Sequence, residues 1–299
     1  MASLNVVVGA SAMGASRMSD QVRAASCPRR VSAPAVDKRR FTLFNPTPVN
    51  LMREMSTDRP DTTESPYTVD AGHFQFELGL AEYAYDDDGG ARTEALGVLT
   101  SNIKAGLLNN VDLQLVFTLY TRQETEQDGN NRIAKGFGDD TQVRLKINLW
   151  GNDGVAPPGL SPTAFAIMPF VKFPTGADDL TNEHIEGGVI FPLAVPLAND
   201  FDLGLMAEVD FVYNEDADGY GVAFIHTATL GHEIAGDLGG YVEYVGVAPH
   251  ETGAGYQAIG SAGLTYALSD NWIVDFGGTA GPSDDADDFT VFAGTSFRL

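Results

Sequence analysis

From Gln142 to Leu149 the chain reads Gln-Val-Arg-Leu-Lys-Ile-Asn-Leu, with every odd-numbered position aliphatic and every even-numbered position polar. A β-strand points successive side chains to opposite faces, so this segment has one apolar and one polar face, whereas a helix would mix the two sets. The same alternation recurs to the last residue. Val111, Leu113, Leu115, Phe117 and Leu119 interleave with Asp112, Gln114, Val116, Thr118 and Tyr120, and Phe201, Leu203 and Leu205 with Asp202, Gly204 and Met206. The pattern predicts an all-β chain of about twelve strands. Their expected spans are 73–85, 92–107, 110–122, 140–150, 163–174, 184–197, 200–213, 219–235, 237–249, 254–268, 271–280 and 288–299.

Connections and strand length decide what the apolar face meets. Asn109-Asn110, Ala198-Asn199-Asp200, Gly236-Asp237 and Ser269-Asp270-Asn271 read as tight turns, made of residues that tolerate hairpin dihedrals. They alternate along the chain with longer acidic segments at 86–90, 123–139, 175–182, 214–219, 249–253 and 281–287; residues 151–162 make one long connection among the short ones. Soluble strands usually run about 5–6 residues and membrane strands about 9–11, and most of these are long. Short turns on one rim and long loops on the other are the layout of a transmembrane antiparallel up-and-down β-barrel. An even strand number returns both ends of the barrel to the periplasmic, short-turn rim and leaves the acidic loops extracellular. Tyr83, Tyr85, Tyr120, Tyr213 and Tyr220 near one set of strand ends, and Trp150 and Trp272 near the other, suit two interfacial aromatic girdles.

The 41 acidic and 18 basic residues give a formal charge of −23, which excludes nucleic acid as a partner because phosphate binding needs a basic footprint. A single cysteine, Cys27, excludes an internal disulfide and a Cys-based metal cluster. No run of apolar residues is long enough for a transmembrane helix. Residues 1–40 read as a targeting or disordered segment, with a short apolar patch at Leu4 to Ala10 and the basic runs Arg29-Arg30 and Lys38-Arg39-Arg40. Residues 41–72 form an irregular arm, with one helical turn expected at Leu51 to Met55, and 73–299 the barrel.

With the apolar face on lipid, parity assigns to the lumen Arg92, Glu94, Lys104, Asp112, Arg144, Lys146, Lys172, Glu186, Asp202, Glu208, Asp210, Glu243, Asp275 and Arg298. Mixed charges in a narrow lumen either orient a small solute or pair with one another and fill the barrel. Met168, Phe170, Tyr120 and Phe292 fall on the same side and offer an aromatic solute a surface, or serve as filler. The arm, with Phe44, Arg59 and Asp61, either folds into the periplasmic mouth as a plug or gate or trails as a tail. His184, His226 and His232 have no nucleophile in register, so no catalytic residues are assigned and a hydrolase is disfavoured. No metal-ligand spacing or cofactor motif occurs, so none is expected.

The last strand, Phe289 to Leu299, alternates and places Phe297 and Leu299 on the outer face. It resembles the C-terminal signal by which the barrel-assembly machinery recognises bacterial outer-membrane proteins, with leucine in place of the usual terminal phenylalanine. Ser56-Thr57-Asp58-Arg59-Pro60-Asp61-Thr62-Thr63-Glu64-Ser65-Pro66, then Val69 to Gln75, Gly136 to Asp139 and Pro169 to Gly176, are similar to blocks of the MetA-pathway of phenol degradation family. The resemblance covers about Phe41 to Leu299. It implies a single outer-membrane barrel, in contact with lipid and lipopolysaccharide, that takes up small organic solutes, with aromatic ones among the candidates, and it supplies no catalytic residues. The competing expectation is a closed structural or surface-interaction barrel whose acidic loops do the work.

Overall fold

The computed structural model describes residues 37–214, 217–249, 255–283 and 286–299. The targeting segment expected at the N-terminus, with Cys27, lies outside the described residues as far as residue 36. The strands are β1 (Phe74–Asp88), β2 (Ala91–Leu108), β3 (Val111–Gln127), β4 (Asn130–Trp150), β5 (Ala164–Phe173), β6 (Glu186–Pro196), β7 (Phe201–Asn214), β8 (Gly219–Ala235), β9 (Leu238–Ala248), β10 (Gln257–Ser269), β11 (Trp272–Ala280) and β12 (Phe289–Arg298). Each pairs antiparallel with its sequence neighbour, and β1 pairs with β12 as well as β2, so the sheet closes on itself. Closure leaves no unpaired edge, which a sheet in lipid requires. Among the described residues, no helix is long and apolar enough to cross a membrane.

Two expected details change. Residues 123–139 do not form a loop: β3 and β4 stay paired from Arg122↔Lys135 to Gln127↔Asn130 and turn at Asp128-Gly129, both at positive φ. Their polar side chains still alternate, so a ladder that has left the membrane continues into water as a hairpin. The helical turn lies earlier than expected, a 3₁₀ turn at Val49–Leu51.

The outer face is apolar all round the barrel. Leu115, Leu149, Phe211, Val242, Leu264 and Phe276 are each exposed, although a soluble fold would bury such side chains. Aromatic contacts mark both rims. Phe76 stacks on Phe297 and Trp150 packs on Phe165 at the rim nearest the C-terminus, while Tyr85 stacks on Phe289 and Tyr220 meets Tyr213 at the opposite rim.

Bulges move the pattern between faces. The β1–β12 ladder shifts register from Gly79↔Gly294 to Ala81↔Ala293, so Leu80 is an extra residue there; Leu80 and Leu99 are skipped together across the β1–β2 ladder, with Leu99 at φ 56°. The β3–β4 ladder is irregular between Thr118 and Thr121. An extra residue flips every side chain beyond it to the other face.

The arm is packed, not trailing. Leu43 N–H donates to Leu107 O and Thr47 N–H to Ala71 O, holding the first part against the rim. From Met55 to Ala71 nearly every residue is buried, inside the barrel.

Candidate functional site

The lumen divides by chemistry. On β5 to β9 the inward positions include Met168, Phe170, Ile190, Met206, Ile225 and Val247, which form the apolar cluster of the interior. On β1 to β4 they include Gln75, Glu77, Lys104, Asp112, Gln114, Arg144 and Lys146, all buried. Such groups are tolerated in a dry interior only when paired and hydrogen-bonded, and the arm supplies most of the partners.

Asp58 is the hub. Its carboxylate accepts from Lys146 Nζ at 2.8 Å and from Lys104, which also pairs with Glu77 at 2.5 Å. Asp58 N–H donates to Glu77 Oε2 at 2.9 Å. Burial works to raise the Asp58 carboxyl, but the two ammonium groups override it and hold it well below the usual carboxylate range. Arg59 donates to Asp275 on β11, with Nη2–Oδ1 2.8 Å, and its guanidinium lies over the Phe292 ring. Thr62 and Thr63 N–H groups donate to the Glu243 carboxylate at 2.9 and 2.8 Å. Arg144 Nη1 donates to Glu64 Oε1 at 2.5 Å, Val69 N–H to Asp112 at 3.0 Å, and Asn148 to Pro66 O at 2.9 Å. Burial first, and the neighbouring Asp58 second, push the Glu64 carboxyl up to about 8 against the pull of Arg144. Burial and the Glu243 charge likewise raise Asp61.

Of the residues expected to line the lumen, Lys104, Asp112, Arg144, Lys146, Lys172, Glu186, Asp275 and Arg298 are buried or half-buried within the barrel, with Lys172 paired to Glu186 at 3.3 Å. Glu208, Asp210 and Asp202 line cavities on the inner side, and Asp61 joins Asp202 at a small one. Arg92 and Glu94 do not belong there. They pair with each other on the outside near the tip of the β1–β2 hairpin, because the bulge at Leu99 reverses the parity of β2 beyond it. Tyr120 turns outward for the same reason, past the irregularity after Thr118. Phe44 is 93% exposed on the rim and takes no part in the lumen. The residues that parity alone missed are Asp58 and Glu64 of the arm and Gln75 and Glu77 of β1. The latter two were visible as the polar members of Phe74-Gln75-Phe76-Glu77-Leu78.

A cavity of about 740 Å³ runs from the rim opposite the C-terminus, at Asp128, Asn130 and Asp179, down to Thr62 and Glu64 of the arm. A second, of about 420 Å³, lies on the other side of the arm, against Met52, Met55, Thr57, Leu238, Ile273 and Arg298.

Among solved structures, an outer membrane channel from Pseudomonas putida F1 matches at 7% identity and a TM-score of 0.55, over 76% of this chain and 95% of that one. The translocator domain of the autotransporter NalP from Neisseria meningitidis matches at 14% identity and a TM-score of 0.45, over 76% and 88%. The first likeness shows a shared fold, that of a bacterial outer-membrane barrel. No curated protein matches in sequence. The family model described as "Putative MetA-pathway of phenol degradation" matches residues 57–299, from the buried run of the arm to the last strand, and the chain belongs to that family.

Proposed function

We propose that this chain is a passive outer-membrane channel for small organic solutes, aromatic ones included, with the arm as its plug. The arm and the C-terminal end of β12 face the periplasm, and the acidic segments face outward among lipopolysaccharide. Phe297 and Leu299, on the outer face of β12, are what the assembly machinery reads. The observation that carries the reading is the pair of cavities separated by the arm. A barrel filled only for stability has no need of a 740 Å³ vestibule ending on a removable segment. Aromatic solutes come from the family's description, and Phe170 on the vestibule wall is consistent with them.

Removing the residues before Pro66 and recording single-channel conductance tests the plug. Conductance is expected to rise several-fold; unchanged conductance sinks it. Liposome swelling with phenols, organic acids and sugars tests the channel. Failure of every solute to enter through correctly folded protein favours the closed structural barrel, a reading that the dense ion pairing of the arm also suits.

A further inference from the structure

The vestibule has a charge that its proposed traffic does not account for. Its lining includes nine carboxylic side chains and three basic ones. Each of the three is already engaged: Arg132 with Asp179, Arg144 with Glu64, and Lys172 with Glu186. Glu208 and Asp210, successive inward positions on β7, form no ion pair with any described residue. Asp210 Oδ1 is buried without a hydrogen-bond partner, against Gly188 of β6, where an added Cβ would lie 2.4 Å from it. At the floor, Glu64 is 5% exposed, and its Oε2 also has no hydrogen-bond partner. Glu208 and Asp210 are hydrogen-bonded to one another, and the nearest bases, Arg144 and Lys172, are committed to Glu64 and Glu186; two adjacent carboxyls that form no ion pair of their own, beside a buried acceptor, are an electrostatic demand that a ligand can meet.

The strands beside them set the rest of that ligand. Phe170, Ile225, Val245 and Val247 line the same cavity and present ring and aliphatic surface. Sites of this kind orient an apolar body with a few placed polar groups.

We propose that the vestibule binds a small organic cation, an ammonium group joined to an apolar or aromatic body, with Glu208 and Asp210 receiving the charge and Phe170 the body. This rests on the channel reading for the passage of such a compound but not for its binding, because the cavity opens at the rim while the arm is docked. Organic anions of equal size meet the acidic lining with every basic side chain of the vestibule already paired, and neutral analogues gain the apolar contacts and a hydrogen bond without the charge.

The test is equilibrium binding to the full chain folded in detergent, by calorimetric titration with phenethylammonium, phenethyl alcohol and hydrocinnamate at one ionic strength. These probes share a ring and differ in charge. Phenethylammonium is expected to bind roughly tenfold tighter than the alcohol, as a charge-assisted hydrogen bond allows, and hydrocinnamate weaker than either. The double variant Glu208→Gln/Asp210→Asn should lower ammonium affinity to near that of the alcohol and change the alcohol far less. Ammonium binding no tighter than the alcohol in the unaltered protein, or a preference retained by the folded double variant, overturns the proposal. Should the double variant fail to fold, the ranking of the three probes on the unaltered protein decides alone. Swelling that fails for all solutes while ammonium binding persists removes the channel and leaves the site; swelling with no ammonium preference in binding removes the site and leaves the channel.

Discussion

Arg59 Nη2 lies 2.8 Å from Asp275 Oδ1, so a residue ahead of the first strand is tied to the next-to-last strand of the barrel. Both are buried, and Asp275 is the ion-pair partner of this guanidinium. Removing one member of a buried pair costs about 3–5 kcal/mol because the other charge is left uncompensated. Asp275→Ala should therefore release the arm, which takes Arg59 back to water. Limited proteolysis of the folded protein is expected to cut between Met55 and Ser65 in the variant and not in the parent. The exchange Arg59→Asp with Asp275→Arg should restore much of the protection. Equal protection in all three would mean that the pair does not hold the arm.

A second anchor is steric. Gly106 of β2 faces the arm so closely that a Cβ there would sit 2.1 Å from Asp70 O and 2.8 Å from Val69 O. Those are backbone atoms, and Gly72 N–H and His73 O are hydrogen-bonded to the same glycine at 2.8 and 3.0 Å. Gly106→Val must displace the arm where it enters the lumen, while β2 itself gains a good strand former. Single-channel recordings should show higher conductance or frequent opening, with the heat-modifiable gel mobility of a folded barrel retained. A folded variant with unaltered conductance would show that the arm does not restrict flow.

Docking of the arm should depend on pH with a definite sign. Glu64 is pushed up to about 8, above its ordinary carboxyl value, by burial and by Asp58, so the docked arm holds a proton that the free arm releases. Its docking is favoured at low pH and weakens as pH rises through the interval from the ordinary carboxyl range to about 8. Asp58 acts in the opposite direction. Its lowered value favours docking above the ordinary aspartate range and is lost only in strong acid. Between mildly acidic and mildly alkaline pH, Glu64 and Asp61, both raised on docking, therefore set the trend together, and protease cleavage of the arm should increase with pH. Glu64→Gln should weaken that dependence, and Glu64→Gln with Asp61→Asn should flatten it. A slope that survives the double substitution assigns the titration to another group.

The barrel was legible because alternation is local. One residue's face follows from its neighbour's, and strand lengths of 9 residues in β11 and 21 in β4 report a membrane rather than a soluble core. The errors came where locality breaks. Parity carried across these irregularities misplaces Arg92, Glu94 and Tyr120, and each irregularity carries a mark in the chain, an apolar doublet that interrupts the alternation: Leu80-Ala81, Val98-Leu99 and Leu119-Tyr120. The contacts of Asp58 and Glu64 left no such mark. Asp58 meets Lys104 and Lys146 across 46 and 88 residues, and Glu64 meets Arg144 across 80. Only the long run of polar residues from Ser56 to Ser65, unusual for a segment with no periodicity, hints that polar partners await it.

The two arginines that parity once placed together give the sharpest contrast. Arg144 is buried beneath the vestibule, bonded to Glu64 and set over the Phe170 ring. Arg92 is half exposed and bonded to Glu94 outside the barrel. Arg144→Ala removes the one vestibule base that touches the arm and leaves Glu64 without its closest cation. It should shift the reversal potential under a salt gradient toward greater cation preference and raise open probability as the arm loosens. Arg92→Ala changes no group inside the lumen, so conductance and reversal potential should match the parent. A change in ion selectivity on substituting Arg92 would place that side chain in the permeation path and remove the bulge as the reason for its position.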